Sequence, residues 1–225
     1  MPEFDINGRT VEGYLALPER GHGPGVLVLH AWWGLTPFFK GVCERLAAES
    51  FVAFAPDRYG GPTAATIEEA EALQQQREDP VSTEAALGAS VEFLSAHEAV
   101  VGEGLGALGF SAGAAWALLL SVRKPDLIRA VIAFYGTGLW LESDYPRARA
   151  AYLGHYAEVD EFEPVDEVRG TQEALRAAGR EVTFYTYPSV GHWFFEEDRP
   201  AYDAGAARLA WERTVSFLQT RIGPA

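Results

Sequence analysis

Gly109-Phe110-Ser111-Ala112-Gly113 is the stretch that decides the fold of this chain. The pentapeptide follows a short apolar run at residues 104–108 and opens a helix-forming run of small residues and leucines at residues 112–120. Glycine on both sides of Ser111 favours a sharp strand-to-helix turn, because a side chain at either position would clash there. The pattern therefore makes Ser111 a candidate nucleophile.

The rest of the chain alternates between strand-like and helix-like segments. Predicted strands cover residues 10–17, 25–30, 51–55, 104–108, 130–135, 149–153 and 181–187. Predicted helices cover residues 38–49, 112–120, 164–178 and 200–220, and two more follow the capping pair Thr66 and Glu69 and the dipeptide Asp79-Pro80. This alternation predicts one α/β domain over residues 1–225, with a mostly parallel sheet that is covered by helices on both faces.

Composition excludes several classes of partner. Hydrophobic residues make up 48% of the chain, and its formal net charge is −14. Such a charge argues against binding to nucleic acid or to an anionic membrane surface. There is no basic leader and no run of 18 apolar residues, so we expect a cytoplasmic protein. Cys43 is the single cysteine, and no Cys/His spacing resembles a metal site, so we predict no metal or cofactor.

A serine hydroxyl is a weak nucleophile unless a base accepts its proton, and that base needs an orienting acid. At a turn of this kind the expected chain order is Ser, then Asp or Glu, then His. Two of the five histidines follow Ser111, namely His155 and His192. His192 lies after the last predicted strand, at the sheet edge where ligands gather. We therefore predict His192 as the base, with His155 as the alternative.

Four carboxylates follow the strand predicted at residues 149–153 and compete for the role of the acid. They are Glu158, Asp160, Glu161 and Glu163. We predict Asp160, because a short side chain in the spacing D-x-F-x-P suits a tight turn that enters a helix near Pro164. Glu158 and Glu161 stay as alternatives, and a mere helix-capping role for Asp160 stays open.

Two backbone amides are predicted to stabilise an oxyanion. One belongs to Ala112, the residue after the nucleophile, and the other to Trp32, in the loop after an early strand. The connection from Tyr135 to Arg149 is too short for an inserted cap domain, so we expect an open pocket that suits short or aromatic esters. The residues predicted to line it are Trp33, Tyr135, Trp140, Tyr156, Trp193 and Phe194.

Over residues 26–218 these segments resemble the dienelactone hydrolase family, whose members have the α/β-hydrolase fold. The motifs that carry the resemblance are Pro56-Asp57-Arg58-Tyr59-Gly60, the pentapeptide at Ser111, Phe134-Tyr135-Gly136, the D-x-F-x-P turn, Tyr187-Pro188 and Gly191-His192-Trp193-Phe194. The resemblance implies a triad of Ser111, Asp160 and His192, the same three residues that the chain order selects.

The chain departs from the family pattern in ways that bear on its substrate. The best-known members carry a cysteine where this chain has Ser111, and a glutamate where it has Ala31. They also hold a substrate carboxylate with two arginines, at places that read Gly60-Gly61-Pro62 and Glu196 here. Arg58 and Arg199 are the nearest substitutes. We expect Glu196 at the pocket mouth, where its charge would repel anionic esters.

The sequence thus predicts a serine hydrolase that cleaves small carboxylic esters through an acyl-enzyme on Ser111. Its expected partner is a small-molecule ester, and its expected state is a monomer or a homodimer. Dienelactone hydrolase, lactonase or thioesterase activity with the same triad is the alternative among enzymes. From a different class, the chain could be a non-catalytic binding protein that kept the fold.

Overall fold

The computed structural model describes residues 3–6 and 9–223 and shows a sheet of eight strands within them. The strands are β1 (Glu3–Ile6), β2 (Arg9–Ala16), β3 (Gly25–Leu29), β4 (Val52–Pro56), β5 (Leu105–Phe110), β6 (Ile128–Phe134), β7 (Ala151–Ala157) and β8 (Val182–Tyr187). Their order across the sheet is β1-β2-β4-β3-β5-β6-β7-β8. The strands from β4 to β8 in this order are parallel, whereas β1 and β2 pair antiparallel at one edge.

Within the same described residues, six α-helices connect these strands or follow the last one. They are α1 (Pro37–Ala48), α2 (Ile67–Arg77), α3 (Pro80–Ala96), α4 (Ala112–Arg123), α5 (Val165–Ala177) and α6 (Ala204–Ile222). The predicted start signals act as expected, since Thr66 and Glu69 form a capping box and the Asp79 side chain accepts from the Ser82 N–H.

The core lies on both faces of the sheet because the central strands are buried throughout. Side chains alternate along β3, so Val26 and Val28 join the cluster beneath α1 and α6. Leu27 and Leu29 point the other way and join the cluster beneath α3, α4 and α5. This sandwich of helix, sheet and helix holds the carboxyl ends of the parallel strands in a fixed arrangement.

The predicted fold class is confirmed, with modest shifts at the ends of elements. The helix predicted at residues 38–49 is Pro37–Ala48, and the strand predicted at residues 149–153 is Ala151–Ala157. The last helix begins at Ala204 rather than residue 200, because the Asp203 side chain caps it by accepting the Ala206 N–H. Sequence reasoning missed β1.

The link between β6 and β7 contains only two short helical turns, Leu139–Leu141 and Tyr145–Arg147. Such a link has no room for an inserted domain, as the sequence predicted. The ends of β5, β7 and β8 therefore stay uncovered by a cap.

The turn between β5 and α4 is a strained elbow at Ser111. Its backbone has φ 50° and ψ −118°, a conformation that residues other than glycine rarely adopt. The flanking glycines allow it, since an added Cβ at Gly109 would lie 2.2 Å from the Gly113 carbonyl oxygen. A Cβ at Gly113 would lie 2.2 Å from the Leu29 carbonyl oxygen of β3. The elbow is therefore wedged against the neighbouring strand, with Ser111 at its tip.

Gly113→Ala is expected to lower the free energy of unfolding by about 1–3 kcal/mol or more, because the new methyl group meets backbone atoms that must shift. Urea unfolding of the wild type and the variant measures this loss. Gly41→Ala is the matched control within α1, where an added Cβ meets no atom within 4 Å. That change should be neutral or stabilising by up to about 1 kcal/mol. Equal effects at the two positions would contradict the account of the elbow.

Candidate active site

Ser111, His192 and Asp160 come together at the carboxyl edge of the sheet. Ser111 Oγ lies 2.9 Å from His192 Nε2, and His192 Nδ1 lies 2.8 Å from both carboxylate oxygens of Asp160. Because Nδ1 faces a carboxylate, it carries the ring proton and donates it, which leaves Nε2 to accept from the serine hydroxyl. The side chains of His192 and Asp160 are each only 4% exposed. The three side chains thus form a continuous hydrogen-bonded relay.

Asp160 is oriented by the turn that follows β7. Its Oδ1 accepts the backbone N–H groups of Phe162 and Glu163, each at 2.9 Å. The alternative acids lie elsewhere, since Glu158 accepts from the Ser189 N–H and Glu161 is exposed. Asp160 does not cap α5, because the N-cap residue is Pro164 and no side chain caps that helix. Its two backbone hydrogen bonds form a turn ahead of the helix, and that turn holds the carboxylate beside His192.

Aromatic rings enclose His192. The rings of Tyr135, Phe162 and Trp193 have centroids 4.9, 5.1 and 5.3 Å from the imidazole centroid. His155, the alternative base, lies instead inside the core between the Tyr187 hydroxyl and the Thr214 hydroxyl. Burial lowers the pKa of His155 to about 3, so this residue is a neutral packing element.

The two amides predicted to face an oxyanion are free of internal partners among the described residues. Ala112 is the first residue of α4, where a backbone N–H has no acceptor within the helix. Trp32 lies in the loop after β3, and the hydrogen bonds found within residues 3–6 and 9–223 include none from its N–H. Neither N–H is therefore taken by a protein acceptor in this part of the chain.

Four of the residues predicted to line the pocket are buried in the core, and their role as pocket walls stays a prediction. Trp33, Tyr135, Tyr156 and Phe194 are each at most 2% exposed. Tyr156 lies on β7 and the other three lie outside the strands, and burial of such large rings removes apolar area from water. Tyr156 also donates its hydroxyl proton to the Gly136 carbonyl.

The aromatic wall beside the relay is built from other residues. Trp193 is half-buried and contacts Phe162, with 4.8 Å between ring centroids. Trp32 contacts Phe162 from the loop after β3, at 5.9 Å. Phe162 is 43% exposed, and sequence reasoning missed it although it is the aromatic residue of the D-x-F-x-P turn.

A groove of about 370 Å³ runs along α4 from the residue after the candidate nucleophile. Ala112, Ala115, Trp116 and Leu119 form its floor on one face of the helix. Trp140, predicted as a pocket residue, stands at its edge and is 63% exposed. Sequence reasoning missed Trp116, whose spacing to Ala112 could have indicated a shared helix face.

Comparison with known proteins places this geometry in a family. The matching family model is that of the dienelactone hydrolase family, and it covers residues 11–222. The chain belongs to this family. The resemblance inferred from the motifs is thereby confirmed.

Two relatives match over nearly their whole length. Protein usf of Aquifex pyrophilus is 37% identical over 227 residues, which cover 97% of each chain. A protein of Aquifex aeolicus named "Putative carboxymethylenebutenolidase" is 35% identical over 230 residues, covering 99% of this chain and 98% of the relative. The crystal structure of a "Putative Dienelactone Hydrolase" from Klebsiella pneumoniae superposes with a TM-score of 0.84 at 25% identity, with 96% of each chain covered.

Arg58 and Arg199 are the nearest substitutes for the two arginines with which the family's best-known members hold a substrate carboxylate. Each of the two is engaged by other groups of the protein. The Arg58 side chain is 1% exposed and its Nη1 lies 2.7 Å from Glu78 Oε1. Arg199 stacks on the Trp33 ring at 3.8 Å and donates to the Ala65 carbonyl at 3.0 Å. Neither guanidinium is free to face a substrate carboxylate in this arrangement.

Glu196 is fully buried, so the prediction that places it at the pocket mouth is wrong. It accepts the hydroxyl proton of Tyr135 at 2.8 Å, and its second oxygen lies 3.9 Å from Arg199 Nε. Burial raises the pKa of Glu196 to about 8. The side chain points inward because the turn after His192 folds back over the sheet end. Glu196 therefore ties the His192 loop to the residue after β6 rather than screening substrates.

Within the part of the chain that the structure describes, no cluster of three His, Cys, Asp or Glu side chains could hold a metal ion. Over the same residues, no helix is long and apolar enough to cross a membrane.

Glu196→Gln is expected to reduce the pH dependence of stability. Between about pH 4.5 and pH 8 the folded wild type holds a proton on Glu196 that the unfolded chain releases. The free energy of unfolding therefore falls as pH rises through this window, by at most about 1.4 kcal/mol per pH unit from this group. Urea unfolding at pH 5, 6.5 and 8 should show the wild type losing stability relative to the variant.

Glu197→Gln removes an acidic side chain from the adjacent exposed position and serves as the matched control. Its stability should run parallel to that of the wild type. If the Glu196→Gln curve also runs parallel, the buried carboxyl does not take up a proton on folding.

Proposed function

We propose that this chain is a serine hydrolase that cleaves uncharged carboxylic esters through an acyl-enzyme on Ser111. The observation that carries the proposal is the relay in which Ser111 Oγ lies 2.9 Å from His192 Nε2 and His192 Nδ1 lies 2.8 Å from Asp160. A strained elbow that presents a serine to a correctly protonated histidine matches the needs of nucleophilic catalysis.

The chemistry follows from the hydrogen bonds. Ser111 Oγ attacks the ester carbonyl carbon as its proton moves to His192 Nε2, and Asp160 stabilises the resulting imidazolium. The carbonyl oxygen becomes an oxyanion that accepts the N–H groups of Ala112 and Trp32. The intermediate then breaks its bond to the alcohol oxygen, which takes the proton from His192.

Water completes the cycle. A water molecule gives one proton to His192 Nε2 while its oxygen attacks the acyl carbon bound to Ser111. The second tetrahedral intermediate breaks its bond to Ser111 Oγ, which takes the proton back and leaves the free acid. The half-buried rings of Trp32 and Trp193 and the ring of Phe162 exclude bulk water from one side of the relay.

The groove beside Ala112 favours substrates whose acyl or alcohol part is an uncharged aryl or short aliphatic group. Its floor is apolar, and the charged side chains at its rim are paired, Glu78 with Arg58 and Arg123 with Glu84. Trp116 and Trp140 offer aromatic faces to a ring. An isolated carboxylate placed there would lose hydration without gaining a free cation.

Lactone cleavage is the second candidate, and it is favoured by the family match and by the names of relatives such as the Aquifex aeolicus protein. The same relay would open a lactone, with the leaving alcohol tethered to the acyl group. A thioester would follow the same course, so a panel of esters, lactones and thioesters separates these possibilities.

Ser111→Ala and His192→Ala should each lower kcat by several orders of magnitude, and the double variant should be little slower than either single variant, because both residues serve one covalent step. Steady-state kinetics with an aryl acetate checks this. Losses that add across the two sites would contradict a shared step.

Asp160→Asn should also lower kcat severely without loss of fold. If Glu158→Gln or Glu161→Gln is the damaging change instead, the acid is misassigned.

A neutral short-chain aryl ester should be hydrolysed at least tenfold faster than a matched ester that bears a free carboxylate. Arg58 and Arg199 are held by protein partners, and the net charge of −14 repels anions. The kcat/KM values of the matched pair measure the preference. Equal or faster turnover of the anionic ester would show that one arginine leaves its partner to bind substrate.

A further inference from the structure

We propose that buried His30 is a positioning residue that aims the Trp32 N–H at the oxyanion by holding the carbonyl of Ala31. This inference deepens the proposed function and rests on it. The decisive juxtaposition is that of the His30 ring and the Ala31–Trp32 peptide group in the loop after β3, where His30 Nδ1 lies 2.7 Å from the Ala31 oxygen.

The hydrogen bonds around His30 assign its tautomer. The backbone N–H of Arg58 donates to His30 Nε2 at 3.1 Å, so Nε2 is an acceptor and carries no proton. The ring proton is then on Nδ1, which donates it to the Ala31 carbonyl oxygen. Burial and the nearby Arg58 guanidinium lower the pKa of His30 well below its usual value, which keeps the ring neutral with this one donor.

Peptide geometry converts this bond into an aimed amide. The Ala31 carbonyl and the Trp32 N–H belong to one planar trans peptide group, so they point in opposite directions. Holding the carbonyl oxygen towards the buried His30 ring therefore turns the Trp32 N–H to the other side of the loop. If the peptide rotated by half a turn, it would present a carbonyl oxygen where an oxyanion forms.

Arg58 reinforces the same peptide. Its Nη2 donates to the His30 carbonyl at 2.7 Å and approaches the Ala31 carbonyl at 3.4 Å. Glu78 fixes that guanidinium through a buried ion pair. The oxyanion loop is thus held from inside by a chain of contacts from Glu78 through Arg58 to His30. This chain explains why Arg58 is withdrawn from the substrate.

The competing interpretation is that His30 only fills space. It is completely buried, and the rings of Phe39 and Tyr59 lie 6.1 and 5.2 Å from it. If His30 only packs, its replacement would lower stability, and any effect on the site would weaken substrate binding and the tetrahedral adduct alike. The test therefore needs a readout that depends on the oxyanion.

Two substitutions separate the ring nitrogens. His30→Asn can place an amide N–H near the former Nδ1, so a donor to Ala31 is retained. His30→Gln places its amide near the former Nε2, where its oxygen can accept from Arg58, and offers no such donor to Ala31. The readouts are urea unfolding, kcat and KM for a neutral aryl acetate, and the Ki of an arylboronic acid, which forms a tetrahedral adduct with a serine Oγ.

His30→Gln should lower kcat about 10²-fold with KM nearly unchanged, the lower end of the cost of removing an oxyanion donor. The boronic acid Ki should rise by a similar factor. His30→Asn should keep kcat within about fivefold of the wild type at similar loss of stability. The pH profile of kcat/KM should keep its shape in both variants, since the His192 relay is untouched.

Equal losses of kcat in the two variants, or an unchanged boronic acid Ki in His30→Gln, would overturn the proposal. If neither variant folds, Arg58→Lys keeps a positive charge for Glu78 but lacks the second nitrogen that reaches the loop carbonyls. Arg58→Lys should then show parallel changes in kcat and in the boronic acid Ki that are smaller than those expected for His30→Gln. A change in KM alone would overturn the proposal. Full activity of Ser111→Ala would instead refute the proposed function itself.

Discussion

The site depends on one constraint, the close packing of the strained turn at Ser111 against the neighbouring strands. The positive φ of Ser111 turns its hydroxyl out of the sheet, and the short approaches at Gly109 and Gly113 leave no other path for the chain. Gly136 adds to this, since a Cβ there would lie 2.5 Å from the Ser111 carbonyl oxygen. The strain is held by burial of β3, β5 and β6 on both faces of the sheet.

Parallel strands then bring the partners of Ser111 to the same edge. The loop after β3 carries Trp32, the turn after β7 carries Asp160, and the loop after β8 carries His192. Each of these segments is tied down by its own internal hydrogen bonds, so the proposed catalytic groups are arranged before a substrate arrives. Preorganised groups of this kind lose little free energy to reorganisation during the reaction.

Much of the fold follows from local patterns in the sequence. Buried apolar strands, the caps at Thr66 and Asp79 and the glycines of the elbow are short-range signals, and each predicted an element that the structure contains. The choice of Asp160 among neighbouring carboxylates also rested on a local turn. β1 escaped notice because a four-residue strand at a sheet edge has too little pattern of its own.

The directions of side chains in the loops could not be predicted in the same way. Tyr135 and Glu196 are 61 positions apart, and their hydrogen bond exists only because the turn after His192 folds back over the sheet end. Burial of Trp33 likewise depends on Arg199 stacking on it from a distant loop. Phe162 and Trp116 contribute to the site because neighbouring segments leave their rings accessible. Such pairings are set by tertiary packing, which no short window of sequence contains.

The central claim is that Ser111 forms a covalent bond through a hydroxyl activated by His192. The most direct measurement is the intact mass of the protein after treatment with a fluorophosphonate, compared between wild type and Ser111→Ala. The account predicts a single phosphonyl adduct on the wild type, located on Ser111 by peptide mapping, and none on the variant. An unmodified wild type, or an adduct that persists in Ser111→Ala, would contradict it.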